Sequence, residues 1–144
     1  MSFDFINWVA IDQETPTLNS FINKTVLAIE GGKVDDDEMV LVFSDKKLTF
    51  CHLQDCCENV RIVDVDGDIN DLIGVPLLMC EAVSSEGYGE EREREYEDNS
   101  HTWTFYKFAT INGYVTVRWL GESNGYYSEE VDICVSKPKG RNKQ

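Results

Sequence analysis

Thr102-Trp-Thr-Phe-Tyr-Lys-Phe-Ala-Thr110, then Ile111-Asn112-Gly113, then Tyr114-Val-Thr-Val-Arg-Trp-Leu120 is the stretch that decides the fold class. Aromatic residues and threonines alternate along the first run, which suits a pleated surface. The second run puts Val115, Val117 and Trp119 on one face. Asn112-Gly113 between them is a type I′ hairpin signal, because both central residues of that turn take positive φ. Ser123-Asn124-Gly125 marks the next reversal, after which Val131, Ile133 and Val135 alternate with Asp132, Cys134 and Ser136. The expectation is a three-stranded antiparallel meander.

Working towards the N-terminus, more short β segments follow. Phe3, Phe5, Ile6 and Trp8 suggest a first strand, and Thr25 to Ile29 a second, closed by Gly31-Gly32. Met39-Val-Leu-Val-Phe43 is apolar on both faces and reads as a central strand. Leu48 to Leu53, Val60 to Val65 and Val75 to Ser84 complete the set. Thr17 to Asn23 suggests a helical turn with Thr15 or Thr17 as cap, and Asp68 to Ile73 another, capped by Asp68 and closed by Gly74. The fold class expected is α+β, mainly β: a twisted antiparallel sheet or partly open barrel with one or two short helical segments.

A chain of 144 residues with 42% hydrophobic and 11% aromatic residues is long enough for one domain with a real core. We expect that domain over residues 1–136. Residues 85–100 carry seven acids and two arginines with almost nothing to bury, and read as a mobile acidic insertion. Residues 137–144 hold Lys137, Lys139, Arg141 and Lys143 and read as a basic flexible tail.

The formal charge is −14, and once the basic tail is set aside residues 1–136 carry 9 basic against 27 acidic side chains, a formal −18. Such a body repels nucleic acid phosphates and anionic membranes, and attracts basic surfaces over about a Debye length. Direct nucleic acid binding and membrane association are therefore disfavoured. Met1 to Trp8 has no basic segment of the secretory kind, and no apolar run approaches the roughly 20 residues that cross a bilayer. The expected setting is a reducing cytoplasm, with Cys51, Cys56, Cys57, Cys80 and Cys134 as free thiols.

Trp103-Thr-Phe-Tyr-Lys107, Gly113-Tyr-Val-Thr-Val-Arg-Trp119 and Ser123-Asn-Gly-Tyr-Tyr-Ser-Glu129 with Val131-Asp132 also resemble a known family. It is a family of small domains of unknown function found in bacteriophage genomes. Leu48-Thr-Phe50, Asp55-Cys-Cys-Glu58, Gly67-Asp68 and Asp71-Leu-Ile-Gly74 are similar to its first half. The likeness covers about residues 47–135 and implies a phage-associated accessory protein. It brings no assigned chemistry.

Candidate chemistry is sparse. Cys51, His52, Cys56 and Cys57 offer metal-ligating atoms within seven residues, but adjacent cysteines in an extended chain point to opposite sides and no CxxC pair exists. Buried structural cysteines are the better account, with no metal and no cofactor. A nucleophilic Cys56 or Cys57 would need His52 or His101 as base, with Glu58 or Asp55 to orient it, and nothing in the sequence places them together. Setting Gly67 at the glycine of an EF-hand loop puts Ile62 and Ile73 where the key carboxylates belong, so 64–71 is a turn. Phosphate-binding and Rossmann motifs are absent.

What remains is binding. The leading expectation is a non-enzymatic inhibitor or modulator of a host protein with a basic surface, of the nucleic-acid-binding or defence kind. Its carboxylates would imitate a phosphate backbone. Asp35, Asp36, Asp37, Glu38, Glu90, Glu91, Glu93 and Glu95 would face that partner, with Tyr126 and Tyr127 as recognition-loop aromatics. The alternative is a nucleotide-signal sponge using Lys107, Arg118, Trp119, Asn124 and Tyr126, since phosphate needs a local cation and a base needs a stacking face. The assembly expected is a monomer or dimer.

Overall fold

The computed structural model describes residues 8–10, 17–87, 100–125 and 127–138. They form two antiparallel sheets. The first contains β1 (Trp8–Ala10), β2 (Ala28–Gly31), β3 (Glu38–Val42), β4 (Lys47–Cys51) and β9 (Asp132–Pro138), in the order β1-β9-β4-β3-β2. The second contains β5 (Asn59–Asp66), β6 (Met79–Gly87), β7 (Ser100–Thr110) and β8 (Gly113–Ser123), in the order β5-β8-β7-β6. The sheets do not close into a barrel.

One core joins them. Met39, Leu41, Leu48 and Phe50 from the first sheet meet Ile62, Tyr106, Phe108, Val115, Val117 and Trp119 from the second. Phe50 is the hinge of this contact, with ring centroids 4.7 Å from Tyr106 and 6.0 Å from Phe108. Phe21, Val26, Leu72 and Leu77 also pack into the cluster from the connecting segments. The doubly apolar run at 39–43 is buried from Met39 to Phe43, as a central strand demands.

Several expectations need correction. The helical component shrinks to two 3-10 turns, Leu18–Phe21 and Ile69–Leu72, with no α-helix among the described residues. Each turn buries a single side chain, Phe21 or Leu72, so there is no apolar stripe for a longer helix to lay down. The Asp68 cap is present and accepts the Asn70 amide at 3.0 Å, whereas Thr17 caps nothing with its side chain. β2 starts later than expected, because Thr25 and Val26 make only isolated bridges, to Pro76 and Ile73. β6 also starts later, at Met79, since Pro76 has no N–H to give a ladder. The segment 85–87 and Ser100 belong to paired strands rather than to a loop, and Lys137 and Pro138 pair with Val9 and Trp8. Residues 1–7, 11–16 (with the cap candidate Thr15), 88–99, 126 and 139–144 lie outside the described residues.

The hairpin β7–β8 is present, but its turn differs. Thr110 pairs with Gly113, leaving Ile111-Asn112 as the loop. Positive φ outside glycine is confined to Asn23 and Asp35 among the described residues, so Asn112 does not adopt the I′ conformation. Thr110 stabilises the loop instead, accepting the Asn112 amide at 3.1 Å and donating to the Asp71 carbonyl at 2.6 Å.

The expected third strand of the meander leaves its sheet. β9 pairs with β4 and β1, not with β8. The crossing is set at Gly121, where an added Cβ would lie 2.2 Å from the Glu129 carbonyl oxygen. Only glycine lets the returning chain pass so close to β8. Among the described residues no helix is long and apolar enough to cross a membrane.

Candidate functional site

The segment 52–58 runs from the end of β4 to the start of β5 and so joins the two sheets. Glu58, the last residue before β5, turns inward and is buried. Its Oε2 accepts from His52 Nε2 at 2.7 Å and from the Asp55 amide at 2.8 Å, and its Oε1 accepts from the Cys56 amide at 2.9 Å. The other ring nitrogen, Nδ1 of His52, is 2.7 Å from the Glu130 carbonyl oxygen. Asp132 completes the arrangement, accepting the Leu53 amide at 2.9 Å and lying 3.8 Å from His52 Nδ1.

A carbonyl and a carboxylate can only accept, so both ring nitrogens donate and His52 is an imidazolium. Burial opposes the charge on each partner. On Glu58 the bonds from His52, Asp55 and Cys56 outweigh burial and hold the carboxyl at about 2. On His52 burial is likewise outweighed, by the Glu58 bond and the Glu130 carbonyl, and its pKa is raised. With neither nitrogen lone pair free, this pair is a clasp and not a base.

Beside the clasp, the turn at 33–37 docks on the free edge of β5. The Asp35 amide donates to the Ile62 carbonyl and the Ile62 amide donates to the Asp36 carbonyl, both at 2.8 Å. This sets Asp35 and Asp36 against the strand that carries the exposed Asp64 and Asp66, with Lys33 and Val34 beside Val65 and the exposed Asp68. A cleft of about 480 Å³ opens here, lined by Asp35, Asp37, Gln54, Cys57 and Arg61 together with the clasp. Glu38 and Asp132 flank Cys51 in register across β3, β4 and β9. Burial first, then those two carboxylates, push the Cys51 thiol up.

Of the residues expected to face a partner, Asp35, Asp37 and Glu38 are exposed and Asp36 is half-buried, its carboxylate accepting the Lys33 amide at 3.0 Å. Tyr127 is half-buried against the Cys56 thiol, which pushes its phenol up. Glu90, Glu91, Glu93, Glu95 and Tyr126 lie outside the described residues. The alternative ligand set is brought together only in part: Lys107 is in register with Thr116, two residues from Arg118 on the same face of the β7–β8 pair. Trp119 is 0% exposed and faces the core, so it offers no ring to a ligand. Arg118, one residue earlier on the same strand, faces the other way and stacks 4.9 Å over the Trp103 ring. Lys107 pairs in register with Glu81, and Asn124 is exposed in the loop after β8.

The cysteines also need correction. Cys80 is buried and Cys51 and Cys134 are half-buried, but Cys56 and Cys57 are exposed. Because 52–58 is a loop and not a strand, their thiols converge to 2.9 Å instead of pointing apart. Among the described residues no group of three or more His, Cys, Asp or Glu side chains is arranged to hold a metal. His101, the other candidate base, is buried on β7 with its ring edge-on to Trp103.

Two acids had no role in the sequence reading. Glu129 is buried where the chain crosses between sheets and accepts from the Ser100, Ser123 and Thr102 hydroxyls, the last at 2.8 Å. Glu122, 1% exposed, meets Arg61 at 3.2 Å. Their only sequence signal was a carboxylate placed among apolar or hydroxyl neighbours.

Residues 19–133 match a domain of unknown function, DUF7448. The chain belongs to the DUF7448 family. The match runs from the first 3-10 turn into β9 and takes in the clasp, the acidic turn, both exposed cysteines and Glu129. Against the curated proteins and the solved structures, the chain has no match.

Proposed function

We propose that this DUF7448 protein is a phage-type accessory protein that works by association. In this reading its carboxylate rim docks on a basic surface of a host protein in the host cytoplasm and inhibits or modulates it, in the manner of a counter-defence protein. The observation that carries the reading is the pair of backbone bonds between Asp35-Asp36 and Ile62. They join two acidic runs, distant in sequence, into one rim beside a cleft. Spaced carboxylates on a rigid sheet edge can stand in for phosphates, and a formal −14 steers a basic partner over about a Debye length.

The test is a pull-down from bacterial lysate at low and high salt. The bait is the wild type or a variant carrying Asp35→Asn, Asp37→Asn, Glu38→Gln, Asp64→Asn and Asp66→Asn. Asp36 is left in place because its carboxylate holds the turn. The wild type should retain a basic protein at low salt and release it at high salt, and the variant should retain none. Equal capture by both baits, or empty eluates from both, sinks the proposal. The nucleotide-sponge alternative draws less support, because its stacking residue Trp119 lies in the core.

A further inference from the structure

Cys56 and Cys57 are consecutive and exposed, with thiols 2.9 Å apart. Both ends of Cys56 are anchored: its amide donates to Glu58 Oε1 at 2.9 Å and its carbonyl accepts from Gln54 Nε2 at 3.3 Å. Gln54 Nε2 also donates to the Glu58 carbonyl, so the Gln54 and Glu58 side chains together hold the loop in shape. The other three cysteines are buried or half-buried. This is a preorganised surface dithiol with Cys57 lining the cleft, and the clasp does not use its sulfur atoms.

We propose that Cys56 and Cys57 are a redox-active pair that closes to an intrachain disulfide at the expense of a small-molecule disulfide of the glutathione class. One cysteine thiolate attacks a sulfur of the oxidant and one glutathione thiolate leaves, giving a mixed disulfide. The neighbouring cysteine, as thiolate, displaces the second glutathione. The protein gives up two electrons and two protons, and the oxidant is reduced to two thiols. The sulfurs need to approach from 2.9 Å to about 2.05 Å, within the reach of side-chain rotation. Adjacent Cα atoms sit about 3.8 Å apart, closer than in most disulfides, so the ring is strained and easily reduced again. Such a bond suits a reversible site. The Cys56 thiol beside it, followed by burial and the Glu58 charge, pushes the Cys57 thiol up, so exchange is slowed at neutral pH and needs mildly alkaline buffer.

The test uses the full chain at about pH 8.5, where thiolate is more abundant. It is incubated with oxidised glutathione, alkylated, and cleaved after Leu53 and Arg61 so that Cys51 is separated from the pair. The peptide carrying Cys56 and Cys57 should be lighter by two hydrogens, unalkylated and free of glutathione, and dithiothreitol should reverse this. Cys57→Ser should keep one glutathione on Cys56, and Cys56→Ser one on Cys57, because neither has a neighbour to displace it. A wild-type peptide that keeps a glutathione adduct, or that is fully alkylated at both thiols after exposure, overturns the proposal.

Discussion

His52 Nε2 lies 2.7 Å from Glu58 Oε2, and neither side chain reaches solvent, at 3% and 0% exposure. The same ring reaches Glu130 through its opposite nitrogen. One imidazolium therefore ties together the end of β4, the start of β5 and the chain entering β9. These are the points where the two sheets exchange strands.

The clasp gives stability a pH window. His52 has a raised folded pKa, so its contribution is whole below the ordinary imidazole value of 6.5 and is lost as pH rises through the folded value. Glu58 is lowered from 4.5 to about 2, so its contribution is whole above 4.5 and is lost as pH falls toward 2. Between about 4.5 and 6.5 both are present. Urea unfolding of the wild type and His52→Ala should show their widest separation there. An equal separation at pH 5.5 and at about pH 9 would contradict the charged clasp.

Phe50 carries the contact between sheets, so Phe50→Ala should cost about 3–5 kcal/mol in chemical denaturation. Phe50→Leu keeps most of the volume and should cost less than half of that. A loss below about 1 kcal/mol for the alanine variant would mean the sheets are held together elsewhere.

Gly121→Ala puts a methyl group 2.2 Å from the Glu129 carbonyl oxygen, and the returning chain must move. The expected cost is about 1–3 kcal/mol. Hydrogen exchange should locate it, with protection lost at 132–136 in β9 before it is lost in β7 or β8. Uniform loss through both sheets would refute this local account.

The rim also repels itself. Asp35 and Asp36 are bonded through their backbone to Ile62 of β5, the strand that also carries Asp64 and Asp66, and the whole chain carries −14. Raising sodium chloride from about 20 mM to about 500 mM should therefore raise the melting temperature by a few degrees. The five-fold amide variant should start higher and respond less. A wild type indifferent to salt would show that the rim is already neutralised internally.

Much of the fold was legible wherever a strand had one wet face or a run had none. Val115, Val117 and Trp119 alternate, and all three are in the core. The run at 39–43 is uniformly apolar and supplies most of β3, an interior strand of the first sheet between β4 and β2. Partner choice was not legible, because Val131, Ile133 and Val135 have the same alternation whichever sheet they join. The close passage at Gly121 decided it, and a lone glycine in a strand does not announce its neighbour. In the ligand set, period-two alternation already separates Arg118 from Trp119, and that signal was available. The clasp was half visible: His52 stands with His101 among the candidate bases and Glu58 with Asp55 among the groups to orient one, but the Glu130 carbonyl that makes the histidine a cation comes from the far side of the chain.

The late arrival of β9 has a bearing on biosynthesis. Lys47 pairs with Ser136, and β1 pairs only with β9 among the described strands. As the chain leaves the ribosome, β2, β3 and β4 can form a hairpin ladder early, yet the outer backbone groups of β4 wait for almost the whole remaining sequence. Through that interval the nascent protein presents an open, apolar strand edge, the kind that recruits other strands. Nascent chains stalled before residue 132 should therefore be the species most prone to clump and most dependent on chaperones.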